Sequence, residues 1–516
     1  MTLPLDLTAR QTAQAIAKGE LSAAEAVEAS IARLEAVNPR INAVVWKRFA
    51  DARAEAKAVD STRKAGEALS PLTGVPVTLK DSIDLKGAPS TFGLPSRANA
   101  LATTDEIHAD RLRRAGAVVL GKTNVAQMLL FLEADNPLYG RTNNPWNVER
   151  SPGGSSGGEG AIIAARGSAL GLGTDVGGSV RNPAAVCGIV SIKPTAGRCP
   201  DTGAFSYPLG QNVIESKVGV LARTTDDVAL GLEIINGGAN PASDPPRPLP
   251  DYARVDLSKL RIGYCDNDGM LMPCPAARRA VKEAAAALGA AGATVFAWAP
   301  PRVEEAVRLF FSIMTAGGRN YKRILGANKA DPRVAQLLRF GSMRHNAAKR
   351  LALLLRALGQ NNIASAVATF GYRSTEAYWD LVEQAVAYRN AFAAAMNEAN
   401  NMDLILLPAS PLPALTHGAS RDLGTMTGYT VLFNVLGYPS GVAPVTRVQA
   451  DEQSDRAASR DALLAAARKV EQHSAGLPIG VQIAGRPWRE HEVLAAMAAV
   501  EAAARKSPSF PLAPEI

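Results

Sequence analysis

Residues 151–181 read SPGGSSGGEGAIIAARGSALGLGTDVGGSVR, with two glycine–serine clusters whose serines 155 and 179 stand about 24 residues apart. Plain Gly/Ser tracts behave as flexible linkers, but here the clusters are separated by core-forming runs, AIIAA and ALGLG. The pattern predicts a loop, a helical run, an apolar strand and a second loop, each loop holding a serine in place. Glycines packed around a serine let the backbone approach a ligand closely and take positive φ. Successive N–H groups in such a turn form an anion-binding concavity.

Upstream, VPVTLKD (75–81) is an apolar strand ending in Lys80. Its plain reading is a lysine salt-bridged to Asp81 or Asp84, or one that snorkels to water. A lysine held in a dry site instead loses its charge, because burial disfavours the ammonium form, and the neutral amine can take a proton from a serine.

The rest of the chain supports an α/β layered fold. Between 72 and 235 short apolar runs punctuated by glycine (VPVTL, AVVLG, SALGLG, CGIVSIK) alternate with helical stretches at 107–116 and 224–236. Residues 8–60 read as helices. One follows the cap Thr8 with Ala9, Ala13 and Ile16 on one face, and another runs from Ala23 to Val37 after Ser22. Residues 237–256, rich in Pro, Asp and Gly, read as a surface connection. A helix at 276–291 and a strand at 293–298 follow, then a mostly helical region at 303–400. Strands at 404–410 and 476–485 and a helix at 490–505 complete the chain. The basic stretch RHNAAKRLALLLRAL (344–358) reads as an amphipathic helix with a solvated basic face, in preference to a membrane-surface helix.

Composition narrows the function classes. The chain has 516 residues, 47% hydrophobic and 20% charged, which describes a globular protein. A length prior of about 150 residues per domain suggests three domains, but large α/β enzymes run as one unit. The net charge of +8 comes from Lys and Arg spread along the chain, so nucleic acid is not an expected partner. No stretch has the roughly 20 apolar residues of a membrane span, and no secretory signal is visible. The four cysteines (187, 199, 265, 274) show no Cys-x-x-Cys spacing and read as reduced thiols. These features together imply a cytoplasmic protein.

Two motif matches compete with the serine–lysine reading. GAVVLGKT (116–123) fits the phosphate-loop pattern, yet Val118, Val119 and Leu120 favour an extended core strand over a loop curled around phosphate. GGSSG fits the nucleophile elbow of an α/β-hydrolase-type esterase, but TNNPWNVERSP before it is a loop where the elbow needs a strand. None of the five histidines lies in a glycine- and serine-rich segment, so the base is expected to be another residue.

The GGSSGG and GTDVGGS segments, with Lys80 about 75 residues before the first serine, resemble the amidase signature family. SPGGSSGGEGA and GLGTDVGGSVRNPAAVCGI resemble its fatty acid amide hydrolase branch. Supporting stretches are AGAVVLGKTN (115–124), YGRTNNPWN (139–147), YTVLFNVLGYPSGVAPVT (429–446) and GLPIGVQIAGRPW (476–488). The resemblance implies an amidase signature fold, a large mixed twisted β-sheet core covered by helices on both faces. It implies an N-terminal helical segment (1–70) packed on a catalytic domain (71–510), with 303–400 as a substrate-entry or cap region. It makes Ser179 the nucleophile, Ser155 a bridging serine on a cis peptide bond, Lys80 the terminal base, and the N–H groups of Val176, Gly177, Gly178 and Ser179 the oxyanion hole. Residues 124–140 correspond to a substrate-lining loop, in which Met128 and Leu129 are the substrate-binding candidates.

No metal or cofactor is implied. Partners reduce to a small-molecule amide, ester or carbamate, and a homodimer is allowed. The membrane span of the animal enzymes has no counterpart here, and residues 450–475 resemble the insert of that branch. Other readings left open are a non-catalytic binding protein with this fold and a glutamyl-tRNA amidotransferase-type glutaminase subunit.

Overall fold

A computed structural model describes residues 4–200, 211–238, 247–424 and 428–516. Parts of the surface connection expected at 237–256 fall outside the described residues. Eleven strands among them form one sheet: β1 (Val44–Lys47), β2 (Pro76–Lys80), β3 (Val118–Thr123), β4 (Leu170–Asp175), β5 (Val190–Lys193), β6 (Lys217–Ala222), β7 (Arg261–Tyr264), β8 (Thr294–Ala297), β9 (Leu404–Pro408), β10 (Ser440–Arg447) and β11 (Pro478–Gly485). Their order is β1-β3-β2-β4-β6-β5-β10-β11-β9-β7-β8. Strands β3-β2-β4 run parallel, as do β9-β7-β8, while the intervening pairs from β4 to β9 are antiparallel. The expected mixed sheet is present.

Its inner strands are buried along their length because helices cover both faces; every residue of β2, β4, β6 and β11 is buried, the polar Lys80, Asp175, Lys217 and Gln482 included. The GAVVLGKT segment forms β3, with Lys122 Nζ donating to Pro89 O and Ser90 Oγ, both at 2.8 Å. The phosphate-loop reading therefore fails, for the steric reason that bulky residues favour strand.

Residues 4–70 are helical where periodicity predicts it. Thr8 and Ser22 each close a capping box, on the helices Ala9–Lys18 and Ala23–Ile41. The second helix runs past Val37, through Pro39, to a left-handed Asn42. This region is not purely helical, since β1 joins the sheet edge antiparallel to β3. The 303–400 region is helical throughout its described elements, from Val303–Ala316 to Thr375–Glu398.

The 151–157 loop is positioned by the helix Gly157–Ala164, whose first turn is rich in glycine (Gly157, Gly158 and Gly160). A Cβ on Gly158 would lie 2.5 Å from Asn124 N and 2.7 Å from Ala43 O, so the helix seats directly on neighbouring backbone. That approach holds the 151–157 loop against the C-terminal ends of parallel strands β2 and β4, where α/β folds place ligands. Gly158→Ala must push backbone apart and is expected to lose about 1–3 kcal/mol of stability. Gly289→Ala, in the helix Pro275–Ala290 with open space around it, is expected to gain about 0.5–1 kcal/mol. Urea denaturation of the two variants checks both signs.

Candidate active site

Lys80 ends β2 fully buried. Its Nζ lies 2.8 Å from Ser155 Oγ, 2.8 Å from Thr174 Oγ1 and 3.2 Å from Thr174 O. The salt-bridged reading fails. Asp81 instead accepts hydrogen bonds from Thr91 N, Thr91 Oγ1 and Phe92 N, and among the described residues Lys80 forms no ion pair. Burial lowers the Lys80 pKa to about 7, against the opposing charges of Asp175, Asp81 and Glu159.

Glu159, one turn into the glycine-rich helix, accepts from Thr78 Oγ1 at 2.7 Å and Thr123 Oγ1 at 2.8 Å. Burial raises its pKa to about 8, outweighing those bonds and the Lys80 charge. Burial thus favours the uncharged acid, and whatever charge Glu159 carries favours the ammonium form of Lys80.

The Gly154–Ser155 peptide is cis, the conformation the resemblance implied. Ser156 N donates to Ser179 O at 3.2 Å, which ties the two serine loops together. Among the described residues the hydroxyls of Ser155 and Ser179 share no hydrogen bond; the structure joins Lys80 to Ser155 and leaves Ser179 facing open space, 8% exposed.

The Ser179 loop is shaped by Asp175, which the sequence reading did not single out. Its carboxylate accepts from Gly178 N at 2.8 Å and Val180 N at 3.2 Å, and pairs with Arg181 at 2.9 Å. Arg181 in turn donates to Thr430 O, Gln482 Oε1 and Asn434 Oδ1, and Asn434 Nδ2 donates back to Asp175. Burial would raise the Asp175 pKa, but Arg181 beside it holds the carboxyl well below the usual range. The signal for this pair was two charged residues inside an otherwise apolar, glycine-rich run.

Gly178, at φ 113°, could not be another residue, since a Cβ there would meet Thr430 Oγ1 at 2.4 Å. Its N–H is taken by Asp175. The N–H groups of Val176, Gly177 and Ser179 donate to nothing among the described residues.

Ser179, Val176 and Gly177 form one end of a cavity of about 210 Å³. Most of its wall is apolar, with Leu129, Phe131, Phe310, Phe340 and Phe370 prominent. Leu129 lines this space as expected. Met128 does not: it is wholly buried in a cluster with Leu94, Leu325, Val334 and Leu338. Consecutive positive φ values at Met128 and Leu129 (57° and 59°) part the two side chains. Apart from Phe131, the aromatic wall comes from the 303–400 region; its helical members Phe310 and Phe340 carried no distinguishing sequence signal, because a pocket-facing stripe and a core-facing stripe share one periodicity.

The elbow reading also fails, since the segment before Ser155 is a loop and the cluster leads into a helix with no strand ahead of it. Of the histidines, His417 Nε2 sits 3.0 Å from Val148 O, and none lines the Ser179 cavity. Among the described residues no group of acidic, His and Cys side chains could hold a metal, and no helix is long and apolar enough to cross a membrane.

A family model described as Amidase matches residues 25–494. Fatty-acid amide hydrolase 1 of Sus scrofa is 34% identical over 510 residues, covering 97% of this chain and 86% of that protein. A glutamyl-tRNA(Gln) amidotransferase subunit of Roseiflexus castenholzii is 32% identical over 510 residues, covering 96% and 95%. Among solved structures, a fatty acid amide hydrolase superposes with a TM-score of 0.82 at 25% identity, covering 97% of this chain and 85% of the other. A 6-aminohexanoate cyclic dimer hydrolase in complex with substrate does so at 0.76 and 27%, covering 99% of each chain. A family match along most of the sequence, and relatives above 30% identity along nearly all of it, establish that this chain belongs to the amidase signature family and is an amide-hydrolysing enzyme.

Proposed function

We propose that the enzyme hydrolyses carboxylic amides bearing an apolar acyl group, aryl or fatty, through an acyl-enzyme on Ser179 with Ser155 and Lys80 as its proton relay. The observation that carries this reading is a buried lysine, without a carboxylate partner, hydrogen-bonded at 2.8 Å to a serine beside an apolar cavity that holds a second serine. Neutral Lys80 takes a proton from Ser155, which takes one from Ser179 as the Ser179 hydroxyl turns toward it. Ser179 Oγ then attacks the acyl carbon.

The tetrahedral oxyanion is received by the N–H groups of Val176, Gly177 and Ser179. Gly178, also expected in that role, serves by holding the turn, because its own N–H is bound to Asp175. The relay returns the proton to the departing amine, and water repeats the cycle to release the acid. Esters and carbamates pass through a similar oxyanion and are expected as side substrates.

The kinship to an amidotransferase subunit raises glutamine as an alternative substrate. The apolar wall argues against it, since a carboxamide side chain would lose its hydrogen bonds to water without replacement.

Turnover of a panel of anilides, long-chain amides and aryl esters by the purified chain, beside stoichiometric fluorophosphonate labelling, tests the assignment. Labelling of Ser179→Ala at the wild-type level would sink it. Lys80→Ala is expected to lose ~10²–10⁴ in kcat/KM while its denaturation transition survives; retained activity would remove the lysine from the relay. Because Lys80 must be neutral to accept a proton and its pKa is about 7, kcat/KM is expected to rise with pH through about 7 and level off above. An optimum near pH 5 would contradict that sign. Phe340, stacked on Phe370 with ring centroids 6.1 Å apart, borders the cavity far along the chain from the chemistry. Phe340→Ala is expected to raise KM about tenfold (about 1.4 kcal/mol) for long-chain amides and to leave short ones unchanged.

A further inference from the structure

A second cavity, of about 190 Å³, lies where the two ends of the chain meet, between residues 6–8 and 505–514. Three guanidinium groups line it, those of Arg166, Arg223 and Arg505, against a single lining carboxylate, Asp6. Arg166 pairs with Asp6, and Arg505 with Glu501 at 2.8 Å. Arg223 has only carbonyl acceptors, Leu7 O and Ser168 O, and forms no ion pair among the described residues.

The carboxylate of Asp227 is engaged by Ala9 N and Arg10 N, each at 3.0 Å. Burial lowers the Arg223 pKa to about 10, with Arg166 and Arg505 pushing the same way and Asp227 and Asp6 opposing. The Arg166 Nε–H is buried without an acceptor. Thr8 and Thr224, also in the wall, cap the helices Ala9–Lys18 and Thr225–Ile235. The positive ends of two helix dipoles therefore adjoin the same space.

Asp6 and Glu501 offset Arg166 and Arg505, which leaves Arg223 as the guanidinium of the three without an ion pair among the described residues, and its planar fork matches carboxylate and phosphate oxygens. We propose that this cavity, separate from the Ser179 site, binds a small oxyanion, a carboxylate or a phosphate. Trp146, Ile189 and Phe510 in the wall leave room for the apolar body of an organic acid, while inorganic phosphate would use the arginines alone. The proposal does not rest on the serine–lysine relay.

Isothermal titration of the full chain with benzoate and with inorganic phosphate, at constant ionic strength, tests it. Saturable one-to-one binding of at least one probe is expected, unchanged in Ser179→Ala and weakened about tenfold or more in Arg223→Met and Arg505→Gln. Binding of benzoate alone identifies an organic acid as the ligand, and binding of phosphate alone a phosphate. If Arg223→Met does not fold, Arg505→Gln, whose side chain is 36% exposed, carries the comparison. Absence of saturable binding, loss of it in Ser179→Ala, or equal affinity in folded arginine variants would overturn the site.

Discussion

An amine buried with no ion pair among the described residues is the constraint around which the centre of this molecule is organised. Removing an ammonium from water is costly, and proteins ordinarily offset that with a carboxylate. Here three neutral oxygens, Ser155 Oγ, Thr174 Oγ1 and Thr174 O, surround Lys80 Nζ. Three acceptors match the three donors of an ammonium. When the proton leaves, the Ser155 hydroxyl can reverse and donate to the nitrogen lone pair while Thr174 keeps the remaining N–H groups. The same heavy-atom positions therefore serve both charge states, and little reorganisation accompanies proton transfer, which is what a preorganised site requires.

The nearby acids are arranged so as not to undo this. Asp175 is charged, but it is paired with Arg181 and bonded to the backbone of the Ser179 loop. Glu159 also acts on Lys80, because its ionised carboxylate would favour the ammonium form. Its burial between Thr78 and Thr123 favours the neutral acid. One carboxyl is thus made strongly acidic by a guanidinium, and the other weakly acidic by dryness. Against the charges of Asp175, Asp81 and Glu159, burial of the amine brings the Lys80 pKa to about 7, in the range where a base is useful at physiological pH.

The parts legible in the sequence were those in which backbone and chemistry coincide. Two glycine–serine loops flanking a helix and a strand could be read from periodicity, and the apolar run ending in Lys80 from its position in VPVTLKD. The Lys80–Ser155 contact is long-range in sequence and rested on resemblance until the fold brought β2 and the 151–157 loop together. Met128 and Leu129 show the limit. Two adjacent apolar residues look alike in sequence, and only the left-handed turn between them sends one to the core and the other to the cavity. Strand β1 was hidden for a similar reason, since four residues between two long helices carry too little pattern to reveal an edge strand.

A division of labour follows from where the cavity draws its walls. The reacting end is made of short segments next to the sheet, where glycines allow no side chain. Gly178 would collide with Thr430, and Gly177 with Phe310, if either carried a Cβ. The far end is made of phenylalanines of the 303–400 region, Phe340 on the helix Pro332–Gly341 and Phe370 just beyond the helix Asn361–Val367, whose rings stack with centroids 6.1 Å apart. A side chain added at the first end would disturb the backbone around Ser179, and a change at the second alters the shape of the cavity. Relatives named as an amidotransferase subunit or as hydrolases of a fatty-acid amide and a cyclic dimer are what such an arrangement permits. In this chain the glycine-rich loops fix the backbone around Ser179, while side chains of the 303–400 region set the shape of the space beside it.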